Sequence, residues 1–354
     1  MKVLALNSSP RGQGQSKTET ILNHLVDGMR AAGAQVEVVG LRKKSVRNCI
    51  GCFTCWTKTP GVCVHKDDMA LELFPKWLEA DIAVYATPLY HYTLTASMKA
   101  FIERTLPVLQ PFFEHNGERS NHPLRHKIPK AVVMSVAGFP EMNVFDQLSS
   151  YVRFLFKENL LAEIYRPAAE NLSHLPDKAV GEKILAALHM AGGELIQSQK
   201  ISTETLKQIT QPLGIESKFA TIGNIVWKTC IRESVTPREM DERGIAPRPD
   251  SMESFMIIMP MGFQAQKAGD LAATIQFDFS DEIEGSCHFN IADGKITGVA
   301  GSAAKPDITI ATPFELWMDI MAGKTDGQKM FMEQQYKAVG DFSLLMRFRE
   351  LFGN

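Results

Sequence analysis

Apolar and polar positions along the first 165 residues alternate between short solid runs and one-sided stripes. Lys2 to Leu6 is a solid run and predicts a buried strand, Thr18 to Ala32 a helix, and Gln35 to Gly40 a second strand. Ala70 to Glu79 predicts a helix, Ile82 to Thr87 a strand, Ser97 to Thr105 a helix and Lys130 to Val136 a strand. Asn143 to Asn159, with apolar residues at 144, 145, 148, 151, 152 and 155, predicts a further helix. Strands apolar on both faces, separated by amphipathic helices, imply an α/β doubly wound parallel sheet covered on both sides.

From about 166 to 250 the pattern is mainly helical, clearest over Lys178 to Gln199, and then Pro/Arg-rich from Ser234 to Pro249. That proline-punctuated, charged stretch reads as a linker. Beyond it Leu271 to Phe279 alternates apolar and polar, and His288 to Ile291 and Ile296 to Gly301 flank the turn Ala292-Asp293-Gly294-Lys295. Asp307 to Ala311 is another short strand, and Pro313 opens a helix that ends at Gly323. Gln328 to Glu333 and Phe342 to Leu351 look helical. Strands followed by helices make an α+β module. The expected organisation is 1–210 as the α/β domain with a helical extension, 211–250 as linker and 251–354 as the second domain.

The 354-residue length fits two cores better than one. With 38 basic and 40 acidic residues the net charge is -2, so no nucleic-acid partner is implied. No apolar run approaches the roughly 20 residues that cross a bilayer, and a cytoplasmic location is expected.

The loop Asn7-Ser8-Ser9-Pro10-Arg11-Gly12-Gln13-Gly14-Gln15-Ser16-Lys17-Thr18 joins the first strand to the first helix. In a doubly wound sheet that position suits a phosphate, because the backbone N–H groups and the positive helix end point at it. Neither a GxGxxG nor a GxxxxGK[ST] spacing is present, which disfavours a dinucleotide fingerprint and a P-loop. On the residues alone, a phosphate site and a plain polar loop fit almost equally.

Four of the six cysteines, Cys49, Cys52, Cys55 and Cys63, fall within 15 residues, while Cys230 and Cys287 stand apart as core fillers. Such clustering points to a metal or redox site rather than a disulfide framework. On a helix the first three would spread over about 120° of face. A loop around a compact centre fits better. Four closely spaced thiolates suit a [4Fe-4S] cube, whose irons each take one cysteine, whereas zinc sites more often pair two CxxC units across a longer gap. Free thiols and zinc remain the alternatives.

The stretch NSSPRGQGQS resembles the phosphate loop of the flavodoxin-like NADPH-dependent FMN reductase and iron-sulfur flavoprotein families, with Gln15 where Asn is usual. Thr87-Pro88-Leu89-Tyr90 and Ser97 to Arg104 (SMKAFIER) resemble their TPxY and MKxFxDR segments, with Glu103 in place of Asp. Cys49 to Cys63 followed by Asp67-Asp68-Met69 resembles the compact cysteine motif of iron-sulfur flavoproteins. The resemblance spans roughly residues 1 to 165. It implies a flavodoxin-like fold and FMN held at its phosphate by Ser8, Ser9, Pro10, Arg11, Gln15, Ser16, Lys17 and Thr18. Pro88, Leu89, Tyr90, His91 and Tyr92 would border the isoalloxazine ring, and Gly138 lies in the third loop. His91 suits a proton donor or an ordinary exposed histidine, and no catalytic residue is assigned. Cys49, Cys52, Cys55 and Cys63 would hold the [4Fe-4S] cluster.

Met252 to Phe352 resembles a sterol carrier protein 2 type lipid-binding domain, through the Phe277 to Phe279 strand, Asp293-Gly294, Lys305-Pro306-Asp307, Pro313 to Gly323, Phe331-Met332 and Gly340-Asp341. Nine of the chain's 17 methionines lie here, which suits either a pocket for alkyl chains or a plain core. The resulting expectation is an FMN-dependent oxidoreductase. It would move electrons from NAD(P)H or ferredoxin to a small-molecule acceptor, a hydrophobic one such as a quinone, gathered by the lipid-type module. The alternative is an iron-sulfur flavoprotein acting in electron transfer or oxidant sensing, with the C-terminal domain serving assembly. A lipid-binding protein with a vestigial flavin fold is disfavoured by the intact loops. Homo-oligomerisation is expected, as is common in relatives.

Overall fold

The computed structural model describes residues 1–12, 14–116, 119–173 and 178–353. They divide into two compact units, Met1–Gly214 and Ile215–Asn354. The first unit is built on strands β1 (Lys2–Asn7), β2 (Gln35–Gly40), β3 (Ile82–Pro88), β6 (Lys130–Val136) and β7 (Leu160–Arg166). A short hairpin of β4 (Glu114–Asn116) and β5 (Arg119–Asn121) lies outside the main sheet. The five strands are all parallel, in the order β2-β1-β3-β6-β7. Counted within the sheet that is 2-1-3-4-5, the flavodoxin-like doubly wound order, with its switch point between β1 and β3.

The helices are α1 (Lys17–Ala31), α2 (Phe74–Glu79), α3 (Ala96–Glu103), α4 (Asp146–Phe156), α5 (Lys178–Ser198) and α6 (Thr203–Thr210). Side chains alternate across each strand, so Leu4, Leu6, Ala83, Tyr85 and Val133 share a core with Trp77 of α2, Phe101 of α3 and Leu148 of α4. On the opposite face α1 packs on β1, β3 and β6. Helix α5 then lies on α1 with backbones touching. A Cβ on Gly28 would come within 1.8 Å of the His189 carbonyl oxygen, and one on Gly192 within 2.0 Å of that of Leu25. Only glycine fits at either crossing point.

Besides the β4–β5 hairpin, two elements of this unit depart from the sequence pattern. The helix expected over Ala70 to Glu79 winds as a π turn over Met69–Leu73 before becoming α2, because Pro75 near its start has no N–H to continue the α ladder backwards. Strand β7 was not foreseen: LLAEIYR follows the end of α4 after one 3-10 turn, and its first four residues are only half buried.

The second unit has a mixed sheet of β8 (Ala273–Ser280), β9 (Gly285–Ala292), β10 (Lys295–Ala300), β11 (Ile308–Pro313) and β12 (Lys337–Gly340), in the order β10-β9-β8-β11-β12. Only the β8–β11 pair is parallel. Asp293 and Gly294 turn the β9–β10 hairpin with φ of 52° and 68°, the two left-handed positions that an Asp-Gly pair favours. Its helices are α7 (Phe219–Glu233), α8 (Pro237–Glu242), α9 (Met252–Met261), α10 (Ala265–Ala268), α11 (Phe314–Met321), α12 (Gly327–Met332), α13 (Phe342–Met346) and α14 (Phe348–Phe352). Phe255 of α9 is fully buried and meets Phe277, Phe279, Phe289 and Phe314 edge-on.

The stretch 211–250, read from composition as a linker, thus carries α7 and α8. Its Arg248 is buried at 7% exposure and bonded to Asp319 and Glu315, 71 and 67 residues away. A charge that looks solvated in sequence is here used in long-range ion pairs.

Candidate functional site

Three loops leave the carboxyl ends of β1, β3 and β6 side by side, since Asn7 is in register with Ala86 and Pro88 with Val136. In such a sheet this edge, beside the switch point, is where ligands sit. The first loop is locked by its own side chains. Asn7 Oδ1 accepts from the Ser9 N–H at 2.9 Å, Ser9 Oγ accepts from the Arg11 N–H at 3.3 Å, and Ser8 Oγ donates to the Ala86 carbonyl at 3.3 Å. Ser16 caps α1, its Oγ accepting from the Glu19 N–H at 3.0 Å. Ser8, Ser9, Ser16 and Thr18 are all buried, whereas Pro10, Arg11 and Gln15 are exposed and Lys17 is half-buried. Gln13 lies outside the described residues. Arg11 reaches across to Glu170, in the turn after β7, at 2.5 Å.

The second loop is a tight turn. Tyr90 and Thr93 exchange backbone hydrogen bonds of 3.1 and 3.0 Å, and between them His91 and Tyr92 hold φ of 46° and 62°. Two consecutive side-chain-bearing residues in the left-handed region store backbone strain, which accumulates where structure serves a ligand. The strain presents Tyr90 and Tyr92 to solvent, 45% and 52% exposed. Leu89 is tied to β6 through its N–H to the Val136 carbonyl at 2.8 Å. Gly138, in the third loop, is exposed beside Phe139. The residues expected to hold a flavin therefore converge on one edge of the sheet.

A second centre sits further along the same unit. Cys49, Cys52, Cys55 and Cys63 line one pocket, together with Phe53, His65 and Arg104. None of the four is in a disulfide. Among the described residues no three His, Cys, Asp or Glu side chains are placed to share a single metal ion. Burial pushes the Cys55 thiol up, with neighbouring Cys63 and Cys52 adding to the effect. The exposed Cys52 is shifted down by hydrogen bonds from the hydroxyl and N–H of Thr54.

The loop that carries these thiols is closed by the acidic pair following it. Asp68 accepts from the Ser45 N–H at 2.7 Å, and Asp67 accepts from the Arg47 and Ala70 N–H groups at 2.9 and 3.1 Å. Arg104 completes the closure with a fork onto both Asp67 oxygens at 2.8 and 2.9 Å and a third bond to the Arg47 carbonyl at 2.7 Å. Both side chains are at most 2% exposed. Burial alone would push the Asp67 carboxyl up. The Arg104 fork and the two N–H donors overcome this and hold it well below the ordinary carboxylate range. Trp56 pins the loop from outside, donating to the Leu106 carbonyl at 3.2 Å.

Helix α3 connects the two places. Thr95 caps its start and is bonded through its N–H to Thr87 Oγ1 at the end of β3, while Arg104 forms its C-cap. Reading the motifs alone missed Asp67 and Arg104 as partners. Their signal was their presence in the DDM and MKxFxER segments.

The second unit contains a cavity of 530 Å³ lined mainly by apolar side chains, including Met259, Met261, Met318, Met321, Phe348 and Phe352. Pro247, Arg248 and Pro249 form part of its wall.

Residues 1–156 match the NADPH-dependent FMN reductase family and residues 264–353 the SCP-2 sterol transfer family. Each match covers less than half of the chain. Among curated proteins, an iron-sulfur flavoprotein of Archaeoglobus fulgidus is 37% identical over 107 residues, 30% of this chain and 46% of that one. An iron-sulfur flavoprotein of Methanocaldococcus jannaschii is 32% identical over 109 residues, 31% of this chain and 52% of that one. An FMN-dependent NADH:quinone oxidoreductase of Methylorubrum extorquens is 32% identical over 113 residues, 30% of this chain and 55% of that one. The chain thus spans about half the length of these relatives. No helix among the described residues is long and apolar enough to cross a membrane.

The serine loop, the Tyr90 turn and the whole cysteine pocket all fall inside the residues that match the FMN reductase family. The SCP-2 match begins at residue 264, so one wall of the cavity comes from outside the matched residues.

Proposed function

We propose that the protein is an FMN-dependent oxidoreductase that draws electrons from NAD(P)H or ferredoxin and passes them to a hydrophobic acceptor such as a quinone. The observation that carries this reading is the convergence of the buried Ser8, Ser9, Ser16 and Thr18 with the strained Tyr90 turn at the switch point of the sheet. Hydroxyls and the α1 N-terminus fit a phosphate, and Tyr90 and Tyr92 offer faces to a flat ring. Arg11 can leave the exposed Glu170 carboxylate for a phosphate at little cost, because exposed ion pairs are worth at most about 1 kcal/mol. FMN, when bound, supplies one- or two-electron chemistry. The chain's part is to fix the phosphate, hold the turn against the ring and exclude water from the β3 end. An NADH:quinone oxidoreductase among its relatives supports a quinone as acceptor.

The four cysteines fit a [4Fe-4S] centre as its protein ligands: they line one pocket, they are all thiols, and relatives carry the name iron-sulfur flavoprotein. A mononuclear zinc site fits less well. Such a site needs ligands placed to share one ion at Zn–S bonds of about 2.3 Å, and among the described residues no three His, Cys, Asp or Glu side chains are so placed. Cys52→Ser should lose most bound iron and the broad absorbance near 400 nm while keeping FMN. Iron-free protein after anaerobic purification would sink this reading, and the downshifted Cys52 thiol would then favour oxidant sensing instead.

The apolar cavity supports a role for the second unit in gathering the acceptor. Truncation after Gly214 should leave turnover of a small soluble acceptor unchanged but raise KM for a long-chain quinone, because tethering raises local concentration without altering the chemistry. Equal loss with both acceptors would favour the alternative, in which the second unit serves assembly.

A further inference from the structure

The Asp67–Arg104 pair does more than close a loop, given where it lies. Arg104 lines the cysteine pocket with a side chain 1% exposed, and its Nε has no hydrogen-bond partner in the protein. A buried cation normally finds partners for all its donors. One direction is left open here. Cys63 also adds to the stabilisation of its charge, so the guanidinium stands against the thiols as well as against Asp67. The remaining charged and titratable lining is Glu103 and His65, and His65 Nε2 is likewise buried without a partner.

We infer that Arg104 and Asp67 together set the reduction potential of the centre held by Cys49, Cys52, Cys55 and Cys63, with Arg104 raising it and Asp67 opposing. The inference rests on the reading of the four cysteines as cluster ligands. Four thiolates around an iron-sulfur core carry net negative charge, and reduction by one electron adds another. A cation fixed in a low-dielectric wall favours the more negative state, and a carboxylate beside it disfavours that state. Arg104 is part of the pocket wall and Asp67 is not among its lining residues, so the cation dominates.

The two halves of the pair thus predict opposite signs, which a purely structural clamp does not. Redox titration of the anaerobically purified full-length protein, followed by EPR, should show the potential shifted negative in Arg104→Gln and positive in Asp67→Asn. Arg104→Lys, which keeps the charge, should shift it less than Arg104→Gln. Bound FMN reports in each case that the unit is folded. Shifts of the same sign, no shift in either, or loss of iron from all three variants with FMN retained would overturn the inference and leave the pair a structural clamp. Iron-free wild type would instead overturn the reading of the cysteines on which it rests.

Discussion

Arg104 and Arg248 are both buried, both line a pocket, and both leave Nε without a partner in the protein. They differ in the carboxylates they meet. Asp67 is 2% exposed and is served by two backbone N–H groups besides the arginine fork, whereas Glu315 and Asp319 are 52% and 42% exposed and share Arg248 between them. In the first unit, removing either charge strands the other in a dry interior. In the second, water reaches the carboxylates and each arginine bond has a substitute. The burial of the partner, more than that of the cation, decides what such a pair is worth.

The largest expected effect follows from that difference. Asp67→Ala leaves Arg104 buried and unpaired, and should cost about 3–5 kcal/mol in urea unfolding of the first unit. A loss below 1 kcal/mol would show that water enters the Arg104 site and would erase the contrast.

The pair also has a pH signature. Because the folded Asp67 carboxyl is held below its ordinary value, its contribution is complete above the unfolded value of about 3.9 and is lost as pH falls through the folded one. The stability gap between wild type and Asp67→Asn should therefore shrink below about pH 4. A constant gap from pH 7 to pH 3 would assign the effect of Asp67 to its hydrogen bonds rather than to its charge.

Arg11 offers an intermediate case, an exposed arginine on an exposed carboxylate, Glu170. Arg11→Ala should leave unfolding within about 0.5 kcal/mol. It should nonetheless weaken FMN about tenfold or more, since a charge-assisted bond to phosphate is worth roughly 1.5–3 kcal/mol. Fluorescence-quenching titration measures this, and unchanged affinity would move the phosphate elsewhere. The smallest effect is expected for Asp319→Ala, where Glu315 still pairs Arg248: under about 1 kcal/mol by urea unfolding of the second unit.

What the sequence made legible was local. Solid apolar runs marked β1, β3 and β6, an alternating run marked β2, an Asp-Gly pair marked the β9–β10 turn, and cysteine spacing marked a loop around one pocket. What it hid depends on partners distant along the chain. Asp67 and Arg104 are 37 residues apart and Arg248 and Asp319 are 71, so neither pairing leaves a periodic trace. Strand β7 was obscured because its first residues are half buried and only one 3-10 turn separates them from α4. The left-handed turn at His91 and Tyr92 was hidden for another reason: no glycine marks it, and the strain is imposed by the Tyr90–Thr93 hydrogen bonds.

Helix α3 carries a last consequence. It starts where Thr95 is fastened to the end of β3 and finishes at Arg104 in the cysteine pocket, nine residues later. At 1.5 Å per residue that is a spacer of about 13.5 Å. One inserted residue would turn the far end by about 100° and swing Arg104 out of the wall, and four would roughly restore the facing but add about 6 Å. Surface loops in general tolerate changes of length, whereas the count of residues in this interval sets how far and in which direction Arg104 stands from the end of β3.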